Sequence, residues 1–259
     1  MNDAYTELPL MRLSVDGASI QKETIVEEVA IELHALNTHG HYEVYSTLLA
    51  TPTDLIELHA GHLCSEGYID EKPSTDRIHV QDSPGLQVLY NGRITVKPRQ
   101  QMVTSSCGAC NHPNLAVSCT KPIKHESIFS DIDLPLLTNA LELLTHSMPL
   151  FQQSGGCHGT ALFSVDGSID HVSEDIGRHN AVDKTIGKAI LSKSTVFETS
   201  MLLLSGRCGW DIVAKCVRVG IPAIASLGAF SSAAVNLARE HNVTLYGFVT
   251  GRGAWKVGY

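Results

Sequence analysis

Residues 201–226 read MLLLSGRCGWDIVAKCVRVGIPAIAS. Met201 to Leu204 is wholly apolar, which suits a strand in a sheet covered on both faces. Ser205-Gly206-Arg207 interrupts it, and the helix that follows carries Ile212, Val213, Cys216 and Val217 on one face. Gly220-Ile221-Pro222 stops that helix, with glycine at its end and proline beyond. Ala223 to Ser226 is the next strand. Strand, helix and strand at this spacing form the unit of a parallel α/β sheet.

The same alternation extends in both directions. Downstream, Ser231 caps a helix through Glu240, and Val243 to Val249 is the last strand. Upstream, Asp133 caps a helix carrying Leu136, Leu137, Ala140, Leu141 and Leu144, with Pro135 in its first turn, where proline is tolerated. Ala161 to Val165 and Ile169 to Val172 are short strands joined at Asp166-Gly167, and a helix runs from Arg178 to Leu191. Residues 127–259 therefore form an α/β sandwich with a largely parallel core sheet.

The first hundred residues have a different rhythm. Leu10 to Val15, Glu43 to Leu49, Arg77 to Val80 and Leu86 to Tyr90 read as strands. Thr53 or Asp54 caps one helix, with Leu55, Leu58 and Leu63 on its apolar face, that stops near Gly67. Asn91-Gly92 signals a hairpin turn into Arg93 to Lys97. Residues 1–100 are expected to be a smaller α+β domain. Between the two lies a loop, residues 101–126, with three cysteines and little periodicity.

Composition narrows the function. The chain has 259 residues, 43% hydrophobic and 18% charged, with a net charge of −8, so it is globular and unsuited to non-specific nucleic-acid binding. No basic-then-apolar leader opens it and no run approaches a membrane span, so a cytoplasmic protein without a membrane partner is expected. Seven cysteines without such a leader argue against a disulfide framework. Cys64, Cys208 and Cys216 lie on or beside apolar helix faces and are read as packing.

Cys107 and Cys110 form a CxxC. Two thiols at this spacing can share a metal, form a disulfide or pass a sulfur between them, the thiolate being the working form. A zinc site completed by Cys119, His112 or His125 is open on spacing alone. Thioredoxin-type exchange is disfavoured, because Pro113 and Asn114 follow where a helix should begin.

Glu174-Asp175-Ile176-Gly177-Arg178-His179-Asn180-Ala181-Val182-Asp183-Lys184 is the densest polar run in the chain, at a strand-to-helix junction. Such junctions line the ligand edge of α/β sheets, and free N–H groups there favour anions. Arg178, His179 and Lys184 suit phosphate contacts, and Asp175 or Asp183 a hydroxyl or amine. Ser205-Gly206-Arg207 is a second junction of this kind. Phe248, Val249, Thr250, Gly251, Arg252 and Gly253 leave the last strand as a loop able to wrap a phosphate, or as a flexible tail. Gly155-Gly156-Cys157-His158-Gly159 allows close backbone approach beside a thiol and an imidazole, with Cys157 alone reading as a small buried hydrophobe.

Taken together these motifs resemble the formate dehydrogenase accessory sulfurtransferase family, the FdhD type. Thr51-Pro52-Thr53-Asp54 through Gly61-His62-Leu63 to Glu66-Gly67 is similar to its early pattern, the CxxC falls where its reactive pair falls, and Glu174 to Lys184 matches its most specific signature. Leu203 to Arg207, Gly220-Ile221-Pro222 and Gly247-Phe248-Val249 follow in order. Asn111 replaces a usual glycine, and Gly156-Cys157-His158-Gly159 replaces a more usual GG-x-H-A.

The resemblance implies a sulfurtransferase. Cys107 carries sulfur from a cysteine desulfurase as a persulfide, and Cys110 assists. Sulfur passes to the molybdenum of a bound bis-molybdopterin guanine dinucleotide, destined for the catalytic subunit of formate dehydrogenase. The implied cofactor-binding residues are Arg178, His179, Asn180, Lys184, Ser205, Gly206, Arg207 and Phe248 to Gly253. A homodimer is implied, and no permanent metal. The fold implied is a three-layer sandwich like cytidine deaminase, although that fold's zinc motif is missing, so no deaminase chemistry follows. The rival reading is a non-catalytic molybdopterin- or nucleotide-binding chaperone whose CxxC holds structural zinc.

Overall fold

The computed structural model describes residues 4–95, 128–193 and 197–258. Cys107, Cys110, His112, Cys119 and His125, and with them the whole 101–126 loop, lie outside the described residues.

The chain opens with an antiparallel ribbon, β1 (Tyr5–Ser14) and β2 (Gly17–Val26), of which the sequence reading caught only the first strand. A four-stranded sheet follows from β3 (Val29–Leu36), β4 (Tyr42–Ala50), β5 (Ile78–Asp82) and β6 (Leu86–Arg93), in the order β4-β3-β6-β5. Asn91-Gly92 is not a hairpin turn. It lies inside β6, which pairs in parallel with β3 and shifts register between Ala35 and Leu36. A sheet partner on the far side, from residues 29–36, overrides the local turn signal. One helix, α1 (Leu55–Ser65), packs its Leu58, Ala60 and Leu63 into the core of this sheet.

The second sheet has six strands in the order β12-β11-β10-β9-β7-β8. They are β7 (His158–Ser164), β8 (Ile169–Asp175), β9 (Ser200–Leu204), β10 (Ala223–Ser226), β11 (Thr244–Thr250) and β12 (Gly253–Val257). The sequence reading of a largely parallel sheet needs correction. Only β9, β10 and β11 are parallel neighbours, and antiparallel strands flank them on both sides. A two-residue link such as Gly251-Arg252 can only return the chain antiparallel, so β12 pairs back on β11 where a loop or tail was expected.

Helices cover both faces. α2 (Leu134–His146) places Leu137, Ala140, Leu141 and Leu144 against Ala161, Phe163, Met201 and Leu203. On the other face, α4 (Arg178–Ser192), α5 (Trp210–Val219) and α6 (Ser232–Glu240) bury Val182, Ile186, Ile212, Val213 and Leu237 against Leu162, Leu202, Leu204 and Ile224. The alternate residues of β9 thus feed two different cores, as the pleat requires. A short α3 (Pro149–Ser154) was not read from sequence. Ser231 caps α6 as expected, its Oγ accepting from Ala234 N at 3.1 Å. Asp54 and Asp133 stand at helix N-caps without a side-chain cap bond, and Asp54 instead pairs with Lys188 at 2.7 Å.

Candidate functional site at the carboxyl edge of the sheet

The parallel strands β9, β10 and β11 end at one rim, where open α/β sheets take their ligands. Ser205-Gly206-Arg207 leaves β9, Leu227-Gly228 leaves β10, and Phe248 lies near the end of β11. The turns are stitched together. Leu227 N donates to Leu204 O at 3.1 Å, Phe248 N to Gly228 O at 3.0 Å, and Ser226 Oγ to the carbonyl of Gly206. Neighbouring β7 runs the other way, so its first residue, His158, reaches the same rim. Ser205 N donates to Gly159 O at 3.0 Å and Gly159 N to Ser205 Oγ at 2.9 Å.

A cavity of about 300 Å³ opens there, lined by Met148, Phe151, Cys157, His158, Ser205 and Leu227 among others. His158 lies over Gly206, where any Cβ would press on the imidazole. Burial, then the nearby Arg178 and Arg207 guanidiniums, lower its pKa below the ordinary histidine value. Burial, with Glu174 and Asp175 adding to it, pushes the Cys157 thiol up to about 12, so Cys157 is a neutral thiol and a poor nucleophile.

Farther along the rim a second hollow of about 370 Å³ is lined by Phe248, Thr250, Arg252, Gly253, Ala254 and Trp255. Phe248 has φ of 52°, a strained setting for an aromatic residue, and remains 50% exposed; Trp255 is 70% exposed. Two uncovered aromatic rings beside Arg252 form a surface suited to a flat ring bearing phosphate.

The sequence candidates divide between this rim and the interior. Arg207, Phe248, Thr250, Gly251 and Arg252 are exposed there, and Ser205, Gly206, Arg178 and Gly253 are partly so. Val249 is buried in the core under α2. His179 Nε2 is bonded to Asp211 Oδ2, and Arg178 lies 3.6 Å from the same carboxylate. Burial lowers the His179 pKa although Asp211 opposes it. Asn180 Nδ2 donates to Leu49 O and Asp175 Oδ1 at 2.8 and 3.1 Å.

Lys184 is wholly buried. Its ammonium meets Asp175 at 2.7 Å, Thr51 O at 2.9 Å and Thr53 Oγ1 at 3.1 Å, so no cation is left there for a ligand. Asp183, also buried, accepts from Lys215 at 2.7 Å, Ser65 Oγ at 2.5 Å and His62 Nδ1 at 3.0 Å. Burial works against the charged Asp183, but Lys215 and His62 outweigh it and hold its pKa below the carboxylate range. Lys215 continues to Glu66 at 2.5 Å. This interior half of the run ties α1 and the strands before it to α4 and α5.

Asp211 and Lys215 were not singled out from sequence, and His62 and Glu66 entered only as part of the early pattern, with no role given. The signal available was Asp211, Lys215 and Arg218 at helical spacing within an otherwise apolar helix. Among the described residues no group of three or more His, Cys, Asp or Glu is placed to hold a metal, and no helix is long and apolar enough to cross a membrane.

The profile of the FdhD/NarQ family matches residues 26–255. The chain is 33% identical over 246 residues to "Sulfur carrier protein FdhD" of Sulfurisphaera tokodaii, covering 93% of this chain and 92% of that one. It is 34% identical over 263 residues to the protein of the same description from Streptomyces coelicolor, covering 91% and 88%. A candidate formate dehydrogenase accessory protein from Desulfotalea psychrophila, solved as a crystal structure, superposes with a TM-score of 0.78 at 22% identity, covering 99% of this chain and 98% of that one, and shares the fold. On the strength of the sequence match, this chain belongs to the FdhD/NarQ family.

Proposed function

We propose that this protein is a sulfur carrier that matures a formate dehydrogenase. The thiolate of Cys107 attacks the terminal sulfur of a cysteine desulfurase persulfide. A persulfide forms on Cys107 and the desulfurase thiolate leaves. Cys110 assists or relays that sulfur. Delivery to the molybdenum of bis-molybdopterin guanine dinucleotide, which is cargo here, releases the outer sulfur as sulfide: the other thiolate of the pair attacks the sulfur that carries it, a Cys107–Cys110 disulfide remains for a cellular thiol to reduce, and the cofactor passes to the formate dehydrogenase catalytic subunit. The protein works in the cytoplasm as a homodimer.

The observation that carries this reading is the likeness to sulfur carrier proteins over nearly the whole chain, a span within which the CxxC falls. The rim adds support on the cargo side. Arg207 and Arg252 offer exposed charge to phosphates, with Arg178 partly exposed against Asp211, Phe248 and Trp255 offer faces to flat rings, and Ser205 lines the neighbouring cavity, with Gly206 next to it under His158. His179, Asn180 and Lys184 act through position, holding the first turn of α4 so that Arg178 faces the rim.

The test is complementation. In cells lacking their own carrier, this chain restores formate dehydrogenase activity and Cys107→Ala does not; equal restoration by both removes Cys107 from the pathway. Zinc bound in stoichiometric amount by Cys107 and Cys110 in the purified protein favours the chaperone reading instead.

A further inference from the structure

We infer that the core beneath the N-terminal four-stranded sheet contains a buried water site enclosed by Tyr45, His59 and His62. His59 is fully buried on α1, and among the described residues neither of its ring nitrogens has a hydrogen-bond partner. Tyr45 Oη on β4 and His62 Nε2 on α1 are likewise buried, with no partner among the described residues. Their rings share one neighbourhood. The Tyr45 ring centroid lies 5.6 Å from that of His59 and 6.1 Å from that of His62, with planes inclined at 31° and 32°.

Buried polar atoms in folded proteins are almost always satisfied, by protein or by ordered water. The chemistry here selects water. Tyr45 brings a donor, His59 brings a donor and an acceptor, and His62 brings the nitrogen left over once Nδ1 has bonded to the Asp183 carboxylate. A molecule with two donors and two acceptors fits this mixed set. A metal does not. Burial pushes the Tyr45 phenol well above its ordinary pKa, which disfavours the ligating phenolate, and among the described residues no third His, Cys, Asp or Glu is placed to complete a site with the two imidazoles. The water joins β4 to the hydrogen-bond chain that runs from His62 through Asp183 to Lys215.

A crystal structure of the full chain, at a resolution that shows ordered solvent, decides the matter. The expected result is a water within hydrogen-bonding distance of at least two of Tyr45 Oη, a His59 nitrogen and His62 Nε2. Rings packed with no water between them, or density for a metal, overturn the proposal. Thermal melting of Tyr45→Phe gives an independent sign. Losing a satisfied hydroxyl lowers Tm by about 2–4 °C, whereas losing an unsatisfied one raises it, which contradicts the proposal. Should that variant fail to fold, the wild-type density still decides.

Discussion

The carboxyl rim of the six-stranded sheet and the joint between α1, α4 and α5 draw on the same polar run, Glu174 to Lys184, and use it in opposite ways. At the rim, Arg178 is partly exposed against Asp211, Arg207 is exposed, and the aromatic rings of Phe248 and Trp255 stand uncovered. In the joint, Asp175, Asp183 and Lys184 are buried, and every charge is answered by another. A dense polar motif is therefore not all ligand site. One part of it presents charge to solvent, and the rest holds that part in place.

The joint also explains two glycines. Any Cβ on Gly61 of α1 would strike the carbonyl of Asp183, and any on Gly187 of α4 would strike the carbonyl of Glu57, so the two helices touch backbone to backbone. Close approach of the helices lets the short Ser65 side chain and His62 reach Asp183.

The contrast breaks most readily in the joint. Lys215→Met leaves Asp183 and Glu66 without their shared cation, and a loss of about 3–5 kcal/mol is expected from uncompensated buried charge. Calorimetry would show Tm down by about 10 °C or more; an unchanged Tm would mean that the network is not structural. Gly61→Ala comes next, at about 1–3 kcal/mol from forcing α1 and α4 apart, with Gly187→Ala as its mirror in urea titration.

Acid sharpens the same point. Burial, with His62 and His34, lowers the His59 pKa well below its usual 6.5, so the unfolded chain binds more protons and stability drops as pH falls under that value. Burial tends to raise Glu66, but Lys215, His62 and Arg218 hold it to about 2 against an ordinary 4.5. Its contribution is present above 4.5 and is lost as pH falls toward 2. Both slopes have one sign, so denaturant midpoints fall steadily from neutral to acid pH, and His59→Leu flattens the upper part of that curve.

The smallest effects on stability belong to the rim. Arg207→Ala and Arg252→Ala should stay within about 0.5 kcal/mol of the parent in stability. Each should weaken binding of guanosine diphosphate, used as a probe of the cargo's nucleotide part, by about tenfold in calorimetric titration. Unaltered affinity in both variants would move the cargo site away from this rim.

Much of the larger sheet was legible because periodicity and punctuation agree there. The apolar run 201–204, the helix with Ile212, Val213, Cys216 and Val217 on one face, and Gly220 with φ of 86° at its end all act locally. What escaped was set by distant partners. Asn91-Gly92 is a turn signal until β3 pairs alongside it. Gly251-Arg252 looks like a tail until β12 pairs back on β11. The candidate site was half legible for the same reason. Arg207 and Phe248 sit at strand ends that the pattern marks, whereas Lys215 meets Asp183 from 32 residues away, a pairing that no window of sequence contains.

The sulfur-carrying claim is tested most directly by intact-mass spectrometry after incubation with a cysteine desulfurase, pyridoxal phosphate and cysteine. A gain of one sulfur atom that reductant removes, absent in Cys107→Ala, is expected. No gain on a protein whose Cys107 and Cys110 thiols are free and reactive would contradict it.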